Sequence, residues 1–444
     1  MGGGARLNLT PVAAATTPLR PTARGSLLRV HRADRGAADL TPVAVATTPL
    51  RPTARGSLLR GTSGSVERGG RLPGRCGDRP LRPTARGACF GLCADSHEGE
   101  GLRSAERCGA LESASVPRAA RKEVAMKAAR LVGPRQFAFE DVDMPSLKDG
   151  EALVKMEYFS VCGSDLRLYD RTLPEEQYPL NPGAPCHENV GIVQESRDAS
   201  LKPGQRVIAL QSGGLLEYAA VRARNLIPVP DAKVDPALWV LCQPVGTVLY
   251  SVQQIGTILG KRVVIFGQGP IGLSFTNFIA SGGARQVIAV DLLDYRLDAA
   301  RKLGATHTLN PVRDNVIEAI TEITGGQMAD VAVEAAGRPE TCHQVFQALR
   351  MQGTAVIFGI AHDEDAFEFN WMAMTSKLPR IVVTNSARSG DMPETVGVTV
   401  DLVSQGRLSV DHLLTHRMGW EEVGRAYETY SGKLENSLKI VMQA

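Results

Sequence analysis

The sequence predicts an α/β protein in which a β-rich first domain precedes a doubly wound parallel sheet, and three observations predict it. Short segments of alternating hydrophobicity, EALVKMEYFSV and QRVIAL among them, come first. From about Thr247 apolar strand-like runs alternate with helical stretches. One of those runs, VVIF, leads directly into a glycine-rich turn that opens a helix.

At 444 residues the chain exceeds what one core usually serves, so two or three domains are expected. Hydrophobic residues at 43% and charged residues at 22% are globular values, and no apolar run of 18 or more residues is present to span a bilayer. A formal charge of +3, from 50 basic and 47 acidic side chains, gives no electrostatic case for a nucleic-acid partner. Small ligands are the better expectation. The eight cysteines are too sparse for a secreted disulfide scaffold, which points to reduced thiols in the cytoplasm, some of them on metal.

Residues 1–125 stand apart. A segment recurs there every 31 residues, as TPVAAATTPLRPTARGSLLR from Thr10, TPVAVATTPLRPTARGSLLR from Thr41 and PLRPTARG from Pro80. These units are rich in Pro, Arg, Gly and Thr and lack an apolar face to stack, so a disordered extension is expected rather than a solenoid. Met126 then opens MKAARLVGPRQFAFEDVDMP, a plausible enzyme start, and the leader reads as an overextended translation start. A transit peptide is the alternative, against which its length and proline repeats argue.

In the second half, VVIF (263–266), QVIAV (286–290), VAVEAAG (331–337) and TAVIFG (354–359) read as buried parallel strands. Helical stretches such as YRLDAARKLG and TCHQVFQALRMQG separate them. The expected domains are 126–246, 247–387 and a closing segment, 388–444, whose last strand-like run, LKIVM, returns to the first domain.

Gly267, Gly269 and Gly272 follow VVIF in the spacing G-x-G-x-x-G. The first permits the tight turn, the second lets backbone approach a pyrophosphate, and the third lets helix and strand pack closely. Helix N-terminal amides then face the phosphates. Asp291, nineteen residues beyond Gly272 at the end of the next strand, is placed to accept from both adenosine ribose hydroxyls and to repel a 2′-phosphate. NAD is therefore expected over NADP. Arg296 flanks the adenosine, Pro270 and Ile271 fill the turn, and Thr247 at the domain's start completes the expected cofactor set.

Cys162 in SVCGSDLRLY, with His187 and Glu188 in PCHENVGIV, offers a thiolate, an imidazole and a carboxylate, a set suited to zinc. Singly, each would read as a core thiol or a surface dipeptide. Together with Lys202-Pro203-Gly204, Arg206 and Val207, then the glycine turn, they resemble in content and order the zinc-dependent medium-chain dehydrogenases/reductases, over essentially Met126 to Ala444. The arrangement is most similar to the sorbitol and threonine dehydrogenases. That resemblance implies a GroES-like catalytic domain joined to a Rossmann domain, oxidation of an alcohol or polyol with NAD, and a homo-oligomer. It implies Cys162 and His187 as catalytic-zinc ligands, Glu188 as a ligand or a neighbour that exchanges with water, and Ser164 as the relay to the substrate hydroxyl.

Three departures from the family accompany the resemblance. Only Gln211 and Ser212 stand where the four-cysteine structural-zinc lobe belongs, so one catalytic zinc and no structural zinc are expected. The fourth ligand position falls in LCQPVGTV, at Gln243, with Cys242 beside it and water as a third possibility. Arg167 replaces a histidine found in many relatives and cannot serve as a base at neutral pH, so protons leave through water or ribose hydroxyls. Two further readings compete: a zinc-free quinone or enone reductase of the same superfamily, and a noncatalytic nucleotide-binding protein.

Overall fold

The computed structural model describes residues 125–360, 366–384 and 391–444. The expectations for the repetitive leader, with Cys76, Cys89, Cys93 and Cys108, lie outside the described residues.

The first lobe opens with an antiparallel hairpin of β1 (Ala125–Gly133) and β2 (Gln136–Asp143). There follow β3 (Glu151–Ser160), the one-turn α1 (Leu166–Tyr169), β4 (Glu188–Ser196), β5 (Arg206–Ala209), β6 (Tyr218–Arg222) and β7 (Leu226–Pro228). Burial alternates along β3, with Ala152, Val154 and Met156 inward and Lys155 outward, as a sheet with one wet face requires. A long helix, α2 (Cys242–Ile255), leads into the second lobe.

There β8 (Arg262–Phe266), α3 (Pro270–Ser281), β9 (Gln286–Val290), α4 (Asp294–Lys302), β10 (His307–Leu309) and α5 (Val316–Ile323) form the first half. The second half comprises β11 (Ala329–Glu334), α6 (Pro339–Ala348), β12 (Leu349–Ile357), α7 (Trp371–Thr375) and β13 (Arg380–Val383). The strands make one parallel sheet in the order β10-β9-β8-β11-β12-β13, so the order reverses between β8 and β11. In such sheets that reversal leaves a crevice at the strands' carboxyl ends. Val263 and Ile265 pack with Phe275 and Ile279 on one face, while Val264 and Phe266 pack with Ile320 and Phe346 on the other. Burial on both faces explains the unbroken apolar run.

α8 (Met392–Ser404), β14 (Leu414–Gly419), α9 (Val423–Ser431) and β15 (Lys439–Gln443) complete the chain. β15 lies between β14 and β3 in the first lobe's seven-stranded sheet, the return expected of LKIVM. The lobes share an apolar layer in which Trp239, Val245, Leu273, Ala300, Val396 and Val441 are buried together. One reading of TCHQVFQALRMQG needs correction: the helix stops at Ala348, and Leu349 begins a strand paired with Ala329. Ladder formation with β11 outweighs the local helical preference of Leu-Arg-Met-Gln.

Candidate active site

The register of β3 and β4 builds the site. Ser160 pairs with Glu188 at the end of both strands, which leaves Cys162 just beyond one strand and His187 just before the other. The sulfur, imidazole and carboxylate of Cys162, His187 and Glu188 lie within 4.8 Å of one another. Among the described residues this is the one such group of His, Cys, Asp and Glu. Ser164, in the tight turn after Cys162, donates to Cys162 Sγ at 3.3 Å and lies 3.4 Å from His187 Nε2.

Asp165, a residue the sequence showed without a role, organises the cluster. Its side chain is buried, and Oδ1 stands 2.7 Å from His187 Nδ1. A carboxylate only accepts, so Nδ1 carries a proton directed at Asp165, which leaves Nε2 as the nitrogen that a metal would take. The other oxygen accepts from the Cys162 amide and the Tyr427 hydroxyl, each at 3.1 Å. Burial lowers the His187 pKa, but the charges of Asp165 and Cys162 outweigh it and hold the imidazole well above its usual range.

Glu188 is fully buried and meets Lys439 of β15, whose Nζ is 2.6 Å from both carboxylate oxygens and 3.0 Å from the Val161 carbonyl. Burial alone would lower the Lys439 pKa, and the Glu188 charge reverses that and raises it. Nothing in the apolar run LKIVM announced this partner. A thiolate, an imidazole with a fixed tautomer and a carboxylate together fit a zinc ion.

At the crevice, Gly267 has φ +89°, and a Cβ at Gly272 would sit 1.8 Å from the Gly267 carbonyl, so glycine is required at both. Pro270 heads α3, where its missing amide costs no hydrogen bond, with Ile271 behind it. Asp291 accepts from the Gln268 and Leu293 amides at 2.6 and 2.9 Å, and Arg296 Nη1 stands 3.7 Å from it. A Cβ on Gly269 would meet only Arg296, at 3.7 Å, which leaves the turn's outer side open for a diphosphate. Glu334, also missed by sequence, ends β11 opposite Phe266 and accepts from Ala336, Gly337 and Thr341 at 2.7 to 2.9 Å. It shapes the other wall of the crevice, and burial pushes its pKa up.

Two family models match, the alcohol dehydrogenase GroES-like domain over 148–231 and the zinc-binding dehydrogenase over 270–401. The order of the two matches is that of the lobes. The chain belongs to the zinc-type medium-chain dehydrogenases/reductases. This dehydrogenase is 26% identical to an alcohol dehydrogenase of Cupriavidus necator, over 72% of this chain and 98% of that protein. It is 27% identical to the L-threonine 3-dehydrogenase of Pyrococcus horikoshii, over 65% and 90%. It is 29% identical to a probable D-xylulose reductase A of Emericella nidulans, over 67% and 91%. Among solved structures, 2R,3R-butanediol dehydrogenase from Bacillus subtilis superposes with a TM-score of 0.62 at 25% identity, covering 72% of this chain and 99% of that one. The protein is an oxidoreductase of alcohol-type substrates.

The remaining residues of the dehydrogenase resolve as follows. Gln243 is buried in the first turn of α2, where its amide meets Met392 Sδ at 4.0 Å, and it makes no hydrogen bond to the ligand cluster. Cys242 lies in the apolar layer between the lobes, outside that cluster, and burial pushes its thiol up to about 12. Thr247 is buried in α2 and donates to the Pro244 carbonyl at 2.6 Å. Arg167 is half-buried in α1. Where a structural-zinc lobe would project, β5 gives way at once to a turn in which the Gln211 amide donates to Ala209.

Proposed function

We propose that the protein is an NAD-linked, zinc-dependent dehydrogenase of secondary alcohols or polyols. The observation that carries this reading is the convergence of Cys162, His187 and Glu188 within 4.8 Å, with the Ser164 hydroxyl against two of them. Cys162 and His187 would hold the metal, with Glu188 a ligand or a neighbour that exchanges against water, and with water, the Gln243 oxygen or Cys242 as the candidates for the fourth position. A zinc ion there supplies Lewis acidity that makes a bound hydroxyl far more acidic than in water.

The chain's own residues do the rest. Ser164 Oγ, set between Cys162 and His187, orients the substrate hydroxyl and relays its proton, and Asp165 keeps His187 in the tautomer that binds rather than donates. Arg167 is no base, so the proton leaves toward water or the ribose hydroxyls. The glycine turn and α3 hold the diphosphate, Asp291 and Arg296 hold the adenosine, and Thr247 supports the nicotinamide end. When the cofactor is bound it would supply the hydride acceptor, and the crevice would serve to orient the substrate carbon toward it.

Among the described residues no helix is long and apolar enough to cross a membrane, in keeping with a cytoplasmic enzyme. A homo-oligomer is proposed through β13, an edge strand whose Ile381 and Val383 are 44% and 66% exposed. Zinc analysis joined to assays on polyols, hydroxy amino acids and secondary alcohols tests the function. The expected result is NAD-dependent oxidation that His187→Ala abolishes together with metal binding. Turnover of alcohol by metal-replete protein that holds no zinc overturns the mechanism, and reduction of quinones or enones in its place establishes the zinc-free alternative.

A further inference from the structure

The backbone beside Cys162 has an unusual neighbour. A Cβ placed on Gly163 would meet the Tyr430 hydroxyl at 3.7 Å and no other non-adjacent atom within 4 Å. The phenol of α9 thus reaches over the space that a side chain at 163 would occupy. Tyr430 is half-buried, and its hydroxyl hydrogen-bonds to no described residue, unlike that of Tyr427, which donates to Asp165. Burial pushes its pKa up, so the phenol keeps its proton and stays a donor at any physiological pH.

Hydrogen bonds link the turn that carries Tyr430 to the dinucleotide side: Ser437 Oγ donates to the carbonyl of Thr429, next to Tyr430, at 3.2 Å, and Arg296, which stands against Gly269, donates from Nε to the Tyr295 hydroxyl at 3.1 Å. The two lobes meet at this edge, with the Tyr295 hydroxyl donating to the Ser437 carbonyl at 3.1 Å. A dinucleotide held at Asp291 and delivering its nicotinamide beside Cys162 must carry its diphosphate through the interval between them.

We propose that the Tyr430 hydroxyl donates a hydrogen bond to the diphosphate of the nicotinamide cofactor, closing that site from the catalytic lobe opposite the α3 amides. This rests on the NAD reading above. A donor to an anionic oxygen strengthens binding more than one to a neutral partner does.

The experiment measures NADH, ADP-ribose and adenosine binding to the zinc-loaded full chain by calorimetry, adenosine in competition with NADH. Tyr430→Phe should weaken NADH and ADP-ribose by about tenfold, the loss of one charge-assisted hydrogen bond. Adenosine affinity, zinc content and melting temperature should stay at the wild-type values. Equal ADP-ribose affinity in the two proteins overturns the proposal, as does an equal loss for adenosine. Failure of the wild-type protein itself to bind NADH or ADP-ribose overturns the cofactor reading, and with it the role of Tyr430.

Discussion

Lys439 and Glu188 form a fully buried ion pair, in which one ammonium lies 2.6 Å from both oxygens of the carboxylate that adjoins His187. The pair joins the last strand to the first sheet beneath Cys162 and His187. Removing one partner strands a buried charge, which typically costs about 3 to 5 kcal/mol. Lys439→Met should therefore lower the free energy of urea unfolding by about that amount, and adding Glu188→Gln should recover part of it. A double variant no more stable than the single one would show that the stranded charge is not the cause.

Asp165 acts through His187 rather than on a substrate. Asp165→Asn keeps the shape but loses the charge that fixes Nδ1–H, and such partners are typically worth about 10- to 100-fold in metal affinity. Chelator competition should show zinc held more weakly by that factor. Tyr427→Phe, which removes only the neighbouring hydroxyl at 3.1 Å, should hold zinc as the wild type does. Equal zinc affinity in Asp165→Asn and wild type would remove Asp165 from the site.

What the sequence made legible was local. Gly267, Gly269, Gly272 and Asp291 lie within one β-α-β unit, so spacing alone carries their meaning. Cys162 and His187 were legible as ligand types, but their meeting depends on the β3-β4 register. Lys439 was not legible: it is 251 residues from Glu188, and an apolar strand with one lysine reads as an edge with a solvated charge. The end of α6 was missed for a similar reason, since only pairing of Leu349 with Ala329 decides it.

Asp291 should govern cofactor choice. Its carboxylate stands at the β9 end with Arg296 3.7 Å away, so removing the charge both relieves repulsion of a 2′-phosphate and frees the guanidinium to attract it. Asp291→Ala should narrow the preference for NAD over NADP, measured as the ratio of kcat/KM values. Asp291→Asn, which keeps an acceptor toward the Gln268 and Leu293 amides, separates charge from turn geometry. Equal use of both cofactors by the wild type would contradict this role.

His412 should make stability fall on the acid side of neutrality. Both of its ring nitrogens are buried without a partner, and burial lowers its pKa despite the opposing charge of Asp411. In the unfolded chain the ring takes a proton near the ordinary histidine value of about 6.5, whereas in the folded protein it stays neutral to lower pH. The unfolded state then binds more protons, so this contribution to stability is intact above that value and declines as pH drops below it. The slope from one such group is at most about 1.4 kcal/mol per pH unit. His412→Leu should flatten the decline in urea-unfolding free energy between pH 7.5 and 5.5. An unchanged decline in the variant would mean that the imidazole is protonated as readily in the folded protein as in the unfolded chain.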